Sequence, residues 1–408
     1  MAEVSTTGLD PAKHAFEVHG ENSPGRVVFR KNVAVGKLET IQAMRGIAAL
    51  LVVFWHASRY FGPYGTGWAG ALFQPGANLG VHLFFLISGF IMVVTTRSCD
   101  GSPAYAAEFM IKRFARVWPP YVIATLLFVG LIPGRFSPYA SPRGLAQFIQ
   151  GLLFIPTPIA NTEAPTFAFP PLPVGWTLNY EMYFYVFFAV SLLFGRARWL
   201  AFSAWIGVTL FAIPYFLAPI PGVSIIPSVN YGFQTYLALV TNPIILLFVS
   251  GVAIGLIYDS RLQIKNALVL NLVVLLAFAL TVLQYGMAFR VRLGISEWGL
   301  SLIPLFLVVT LATKTTDIRV PRILAYLGDI SFSLYILHPL AQEGFDHIAL
   351  WGGYAIHGFS AFFFTTALSI AVAAISYRYI ELGLARIVRN GLETGLRGIE
   401  AQVFQRTH

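Results

Sequence analysis

The sequence predicts an all-α integral membrane protein of about ten transmembrane helices with both termini in the cytoplasm. Composition comes first: 57% of the 408 residues are hydrophobic and 11% are charged, where a soluble domain carries about 25% charged residues. Next, runs of about 20 apolar residues, enough to cross a hydrocarbon layer roughly 30 Å thick, recur along nearly the whole chain after residue 40. The third observation is the sorting of basic residues between successive loops. With the amino terminus inside, 22 of the 27 Lys and Arg residues fall in inner segments and only Arg59, Arg135, Arg143, Arg290 and Arg292 fall outside, as the positive-inside rule requires.

In chain order, residues 1–37 are polar, rich in Gly, Pro and mixed charge, and lack the apolar core of a signal peptide. They read as a disordered cytosolic extension. The expected spans are 42–61, 79–96, 115–133, 176–194, 200–218, 237–257, 267–286, 296–313, 325–343 and 358–378, within a membrane domain of 38–380. An apolar piece at 144–155 lies in a proline-rich stretch and is too short to span comfortably. Counting it as a crossing would move every later basic loop outside, so an interfacial or re-entrant helix is expected there. Residues 381–408 form a cytosolic tail too short for a separate domain.

The net charge of +9 is dispersed over short loops, with no basic stripe of the kind nucleic acid requires. Cys99 is the only cysteine, which excludes an internal disulfide, a redox pair and a multi-cysteine metal site. No metal or tightly bound cofactor is expected.

Charge inside a bilayer is costly and marks candidate sites. Arg45 and His56 stand eleven residues apart, about 20° past three full helical turns, so they share one face and lie about 16 Å apart. Arg45 reads either as a positive-inside anchor or as a functional cation. His56 reads either as a histidine satisfied by a neighbouring helix or as a base for a hydroxyl nucleophile. Lys112, Arg113 and Arg116 are three cations in five residues, suited to a phosphate-rich ligand or to anionic lipid headgroups. Trp176, Glu181 and Tyr185 lie in the outer half of the fourth span, with Glu181 and Tyr185 on one face at i, i+4. Tyr335 and His338 sit at i, i+3 ahead of Pro339, and His82 opens the second span. Glu381, between Arg378 and Arg386, reads as a helix-end ion pair.

Five stretches in order, IQAMRGIAALLVVFWHAS at 41–58, GVHLFFLISGFIM at 80–92, KRFARVWPPY at 112–121, GWTLNYEMYFYV at 175–186 and ISFSLYILHPL at 330–340, resemble acyltransferase family 3. These are membrane O-acyltransferases of bacterial surface glycans, and the subgroup acting in exopolysaccharide production is the most similar. The resemblance implies transfer of an acyl group, commonly acetyl, from cytosolic acyl-CoA to a hydroxyl of a glycan or lipid-linked glycan. It implies a place in the bacterial inner membrane, among membrane lipids and polysaccharide-assembly proteins. It makes Arg45 and His56 the critical pair and Arg113 and Arg116, with Lys112, the donor-binding motif. Glu181 becomes a catalytic candidate, and Trp176, Tyr185, Tyr335, His338 and His82 substrate-binding candidates. Two positions depart from the family pattern: His82 stands where many members have Asp, and Glu381 is followed by Leu382 and Gly383 where relatives often place a proline. A transporter or flippase of a glycan or small solute is the rival reading of the same buried charges.

Overall fold

The computed structural model describes residues 7–10, 15–21, 27–32, 35–156, 170–217, 235–354 and 356–407. Inside the amino-terminal segment expected to be disordered, three short strands, β1 (Thr7–Asp10), β2 (Ala15–Glu21) and β3 (Val27–Asn32), pair antiparallel in that order. Runs such as Val27, Val28 and Phe29 suit extended backbone, which the reading from polarity alone passed over. From Val35 onward, every regular element among the described residues is helical.

The helices are α1 (Val35–Ala57), α2 (Gly67–Thr95), α3 (Pro103–Leu131), α4 (Pro142–Leu152), α5 (Trp176–Leu192) and α6 (Arg198–Gly207). A π-helical segment at Val208–Ala212 leads into α7 (Ile213–Leu217), followed by α8 (Thr235–Val240) and α9 (Ile245–Asp259). Next come α10 (Ala267–Gly286), α11 (Gly299–Thr315), α12 (Arg322–Asp329), α13 (Ser331–Trp351) and α14 (Gly358–Ser376). A second π-helical segment, Tyr377–Leu384, joins α14 to α15 (Ala385–Thr407).

Among the described residues, seven helical stretches are long and apolar enough to cross a membrane, or eight if the pair α12 and α13, bent by 72°, is one span. All ten expected spans fall on helical elements, but α11, with 17 residues, is shorter than that measure, as is α5. The apolar piece at 144–155 is largely the eleven-residue α4, started by Ser141, whose hydroxyl accepts the Gly144 amide hydrogen at 3.0 Å. At 1.5 Å per residue it cannot span the hydrocarbon.

Lipid-facing and central helices separate by burial. In its most apolar window α2 has 72% of residues buried, against 22% for α10. The latter exposes Leu268, Leu272, Leu275, Leu276, Phe278 and Leu283, a surface suited to hydrocarbon and not to water. α2 packs against α1 and α9, and α1 packs in turn against α12 and α13.

These contacts depend on missing side chains. A Cβ on Gly89 would overlap the Phe248 carbonyl oxygen, one on Gly251 the Leu86 carbonyl oxygen, and one on Gly328 the Gln42 backbone. With little hydrophobic drive between helices in lipid, such close backbone approach supplies much of the association.

Loops expected on the same side of the membrane meet at the same end of the bundle. At one end Arg97 pairs with Asp259 at 2.6 Å, Arg198 donates to the Thr96 carbonyl at 3.2 Å, and Lys314 donates to the carbonyls of Tyr258, Ser260 and Leu262. That lysine thereby caps the negative end of α9. At the other end Arg59 pairs with Asp346 at 2.6 Å and Arg135 grips Glu343 with two nitrogens.

Gly89→Leu should therefore abolish the folded protein, because overpacking a backbone contact costs about 3 kcal/mol or more. Gly207→Leu, whose Cβ meets nothing within 4 Å, should be tolerated. Size-exclusion profiles of the two tagged variants at equal expression test the contrast.

Candidate active site

α1 carries both ends of the site. Arg45 and His56 lie on one face of a continuous helix, about 16 Å apart along its axis, and each meets a different set of neighbours.

At the Arg45 end, α3 turns Arg113 and Arg116 inward. Arg113 donates to the Thr95 hydroxyl at 2.9 Å and lies over the rings of Phe109 and Tyr185, 5.3 and 5.5 Å from their centroids. α5 brings Glu181, which accepts a hydrogen bond from the Tyr185 hydroxyl one turn along and a weak one from Ser88 at 3.5 Å. Arg45 donates to Gln42 at 3.0 Å, and Gln42 donates to Asp329 at 3.4 Å. The electrostatic neighbours of Arg45 are Arg116, Glu381, Glu181 and Tyr185.

Glu381 thus lies among the groups of the candidate site, where its arginine flanks suggest a helix-end ion pair. It lies in the π-helical segment after α14, buried, accepting from Ser333 at 2.9 Å, with Arg116 and Arg45 as its charged neighbours. π-Helical turns re-aim side chains and gather at functional sites. The flanking sequence carries no signal for this turn.

Lys112 departs from expectation in the opposite direction. It pairs with Glu108 at 2.6 Å on the outer face of α3, each side chain 33% exposed, so it stands apart from the two arginines. Successive residues of a helix point about 100° apart, which is enough to send Lys112 out and Arg113 in.

At the other end His56, half-buried, meets His338 of α13, with ring centroids 4.9 Å apart and planes tilted by 48°. His338 is fully buried; its Nδ1 faces the Leu334 carbonyl at 3.2 Å and its Nε2 has no hydrogen-bond partner. Arg59, one turn beyond His56, is held by Asp346, which also accepts from Tyr60 at 2.7 Å. The partner of His56 is therefore a second histidine, whereas Glu181 belongs to the arginine end.

Tyr335 lies between the ends. Its hydroxyl pairs with Thr177 at 2.9 Å and donates to the Val174 carbonyl at 3.1 Å. Trp176, buried at the start of α5, sits edge-on to Tyr180 with centroids 6.1 Å apart. Tyr335 is one turn from His338, and Thr177 one turn from Glu181, so this hydrogen bond links the histidine end to the carboxylate end.

His82 is not part of the arrangement. It is fully buried, its Nδ1 faces the Asn78 carbonyl at 2.7 Å, and its Nε2 accepts the Gly294 amide hydrogen at 3.1 Å. Both ring nitrogens are committed to backbone, so the residue clasps the 287–298 loop onto α2 and has no atom left for a substrate. Gln342 and Ser333 are the residues at the two ends that sequence reasoning did not single out. Only Gln342 had a usable signal, its position one turn after His338. Among the described residues no group of three or more His, Cys, Asp and Glu side chains is placed to hold a metal.

Residues 38–378 match the family model described as an acyltransferase domain. The chain is 29% identical to the exopolysaccharide production protein ExoZ of Rhizobium meliloti over 79% of this chain and 94% of that protein. It is 25% identical to the acyltransferase MdmB of Streptomyces mycarofaciens over 87% of this chain and 91% of that protein. It is also 25% identical to a putative O-acetyltransferase of Staphylococcus aureus, over 86% of this chain and 58% of that protein. No solved structure matches it. With the family model covering most of its length, the chain belongs to acyltransferase family 3 and is an O-acyltransferase built on a multi-pass membrane domain that is all-α from Val35 onward among the described residues.

Proposed function

We propose that this acyltransferase takes an acetyl group from cytosolic acetyl-CoA and esterifies a hydroxyl of an exopolysaccharide, surface glycan or glycolipid. It works in the bacterial inner membrane with ten crossings, both termini in the cytoplasm and the Arg45 end facing inward. The observation that carries this reading is the two-ended site on α1, with preorganised guanidinium groups at one end and a histidine pair about 16 Å away at the other.

Each end suits one half of the reaction. Guanidinium groups bind phosphate oxygens through paired, charge-assisted hydrogen bonds. Arg45, Arg113 and Arg116, already oriented by Gln42, Thr95 and the carboxylates, would take the phosphates of the donor. The extended thiol arm then points along the column toward His56. A glycan relative strengthens the acceptor half, since one similar protein is named for exopolysaccharide production.

Two routes at His56 balance. In direct transfer the imidazole takes the proton of the acceptor hydroxyl as its oxygen bonds to the thioester carbonyl carbon. The carbon–sulfur bond then breaks, and the imidazolium returns the proton to the leaving thiolate. In the relay the imidazole nitrogen itself displaces the thiolate and holds the acyl group. The hydroxyl oxygen next attacks that carbonyl, the carbon–nitrogen bond breaks, and the hydroxyl proton ends on the released donor thiol. Either way the products are an ester and a free thiol.

Mass spectrometry of surface polysaccharide and lipid-linked glycans from cells lacking the protein should show loss of an ester increment that wild type restores. His56→Ala, at matched membrane expression, should restore less than about one hundredth of it. Unchanged ester content in the deletion strain, across all glycan fractions, would falsify the assignment and favour a transporter.

For the donor end, Arg113→Lys and Arg116→Lys keep the charge and lose the two-pronged grip. Steady-state kinetics should show KM for acetyl-CoA raised about tenfold in each. Lys112→Ala, already spent on Glu108, should leave that KM within about twofold of wild type. Equal effects at all three positions would point to a general surface charge.

A further inference from the structure

Gln342 is fully buried on α13, one helical turn after His338. Its Nε2 donates to the Val53 carbonyl of α1 at 3.2 Å, and its Oε1 is buried with no hydrogen-bond partner. The amide orientation follows from that contact, since turning it over would set two oxygens against each other. Helical side chains lean toward their own amino terminus. The Gln342 amide therefore drops back along α13 toward the level of His338, and the Val53 carbonyl it reaches lies one turn before His56.

His338 repeats the pattern. With Nδ1 facing the Leu334 carbonyl, an acceptor that needs a hydrogen, the neutral ring keeps its proton on Nδ1 and a bare lone pair on Nε2. That Nε2 is buried and unpartnered as well. Two hydrogen-bond acceptors with nothing to accept from thus lie on this part of α13, one on the ring that meets half-buried His56 and one a turn further along. Buried polar atoms left unmet cost stability, and native proteins keep few of them.

We infer that Gln342 Oε1 and His338 Nε2 form the acceptor-hydroxyl subsite, and that it takes a vicinal diol of a sugar ring. Two unmet acceptors call for a ligand that brings two neighbouring O–H groups, and the unmet Nε–H of Arg59, one turn beyond His56, offers the same ligand a donor. A single alcohol supplies one such group, and an ester or acyl chain supplies none. In this arrangement one hydroxyl is held by Gln342 while its neighbour lies between His338 and His56, where the proton leaves and the acyl group arrives. Specificity for the glycan then resides on α13, on the far side of the histidine pair from the arginines.

This inference rests on the glycan-acyltransferase reading, and the test separates the two. Full-length protein in lipid nanodiscs is given acetyl-CoA and de-esterified polysaccharide extracted from the deletion strain. Gln342→Met keeps length and removes the acceptor atom. Gln342→Glu, as a neutral carboxyl, donates to Val53 and keeps its carbonyl.

The expected result is a rise of about tenfold in KM for polysaccharide in the methionine variant, kcat within about threefold, and recovery toward wild type in the glutamate variant. KM for acetyl-CoA reports on the fold and should not move. His338→Phe carries the same expectation for polysaccharide KM should the methionine variant fail to fold.

Wild-type values for polysaccharide KM in these variants would mean that only solvent fills the two lone pairs, and would overturn the subsite. Parallel loss of kcat and of both KM values in every variant would mark a purely structural glutamine and overturn it equally. Absence of transfer by the wild-type protein itself would instead remove the underlying reading.

Discussion

Everything at the donor end depends on keeping guanidinium groups ionised and in place inside a bundle of apolar helices. An unpaired cation in such a setting is expensive, and breaking a buried pair costs more than never building it. Here Glu181 and Glu381 arrive on separate helical elements to oppose Arg45, Arg113 and Arg116. Tyr185 and Ser88 then donate to one oxygen of Glu181, and Ser333 to one oxygen of Glu381. The arginines are held before any donor binds. Under the proposed donor binding, phosphate oxygens would meet groups whose ordering entropy has already been spent in folding.

The histidine end depends on how closely α1 and α13 can run together. α12 lies against the start of α1 because Gly46 and Gly328 leave room for backbone contact. The chain then bends by 72° between α12 and α13. That bend lets α13 follow α1, so that Ile330 and Leu334 pack beside Ala49 and Val53, and His338 beside His56. Arg59 and Asp346 close the far end. A straight helix from Arg322 would carry His338 away from α1. The glycine contact and the bend are therefore as necessary to the pair as the histidines themselves.

Which parts of this were legible follows from the range of the interactions involved. Apolar runs led to a helical element at each expected span, because the hydrocarbon requirement acts on local sequence, though among the described residues only seven, or eight with the bent α12–α13 pair, are long and apolar enough to cross a membrane. Their ends were less accurate: α2 begins at Gly67 and α3 at Pro103, about a dozen residues before the expected spans, since a helix continues past the apolar run that identifies it. The shared face of Arg45 and His56 came from spacing alone. The partner of His56 could not, being far along the chain. Lys112 and Arg113 are alike in sequence and point to opposite sides of α3. Glu381 and His82 went wrong in complementary ways. Glu381 hides a buried role behind arginine flanks, whereas His82 has the sequence setting of a site residue while both its nitrogens are committed to backbone.

The separation between the two ends also bears on how they communicate. Glu181, a catalytic candidate in the sequence, stands with the arginines. The Tyr335–Thr177 hydrogen bond joins the two regions through one helical turn on either side. Tyr335 and Thr177 also both reach the Val174 carbonyl, so this cluster fixes α5 against α13. On the proposed reading, the groups nearest His56 for proton exchange are His338, the acceptor hydroxyl and the donor thiol. A site divided in this way would, on that same reading, let its glycan specificity change through α13 while its donor is kept through α3 and α5.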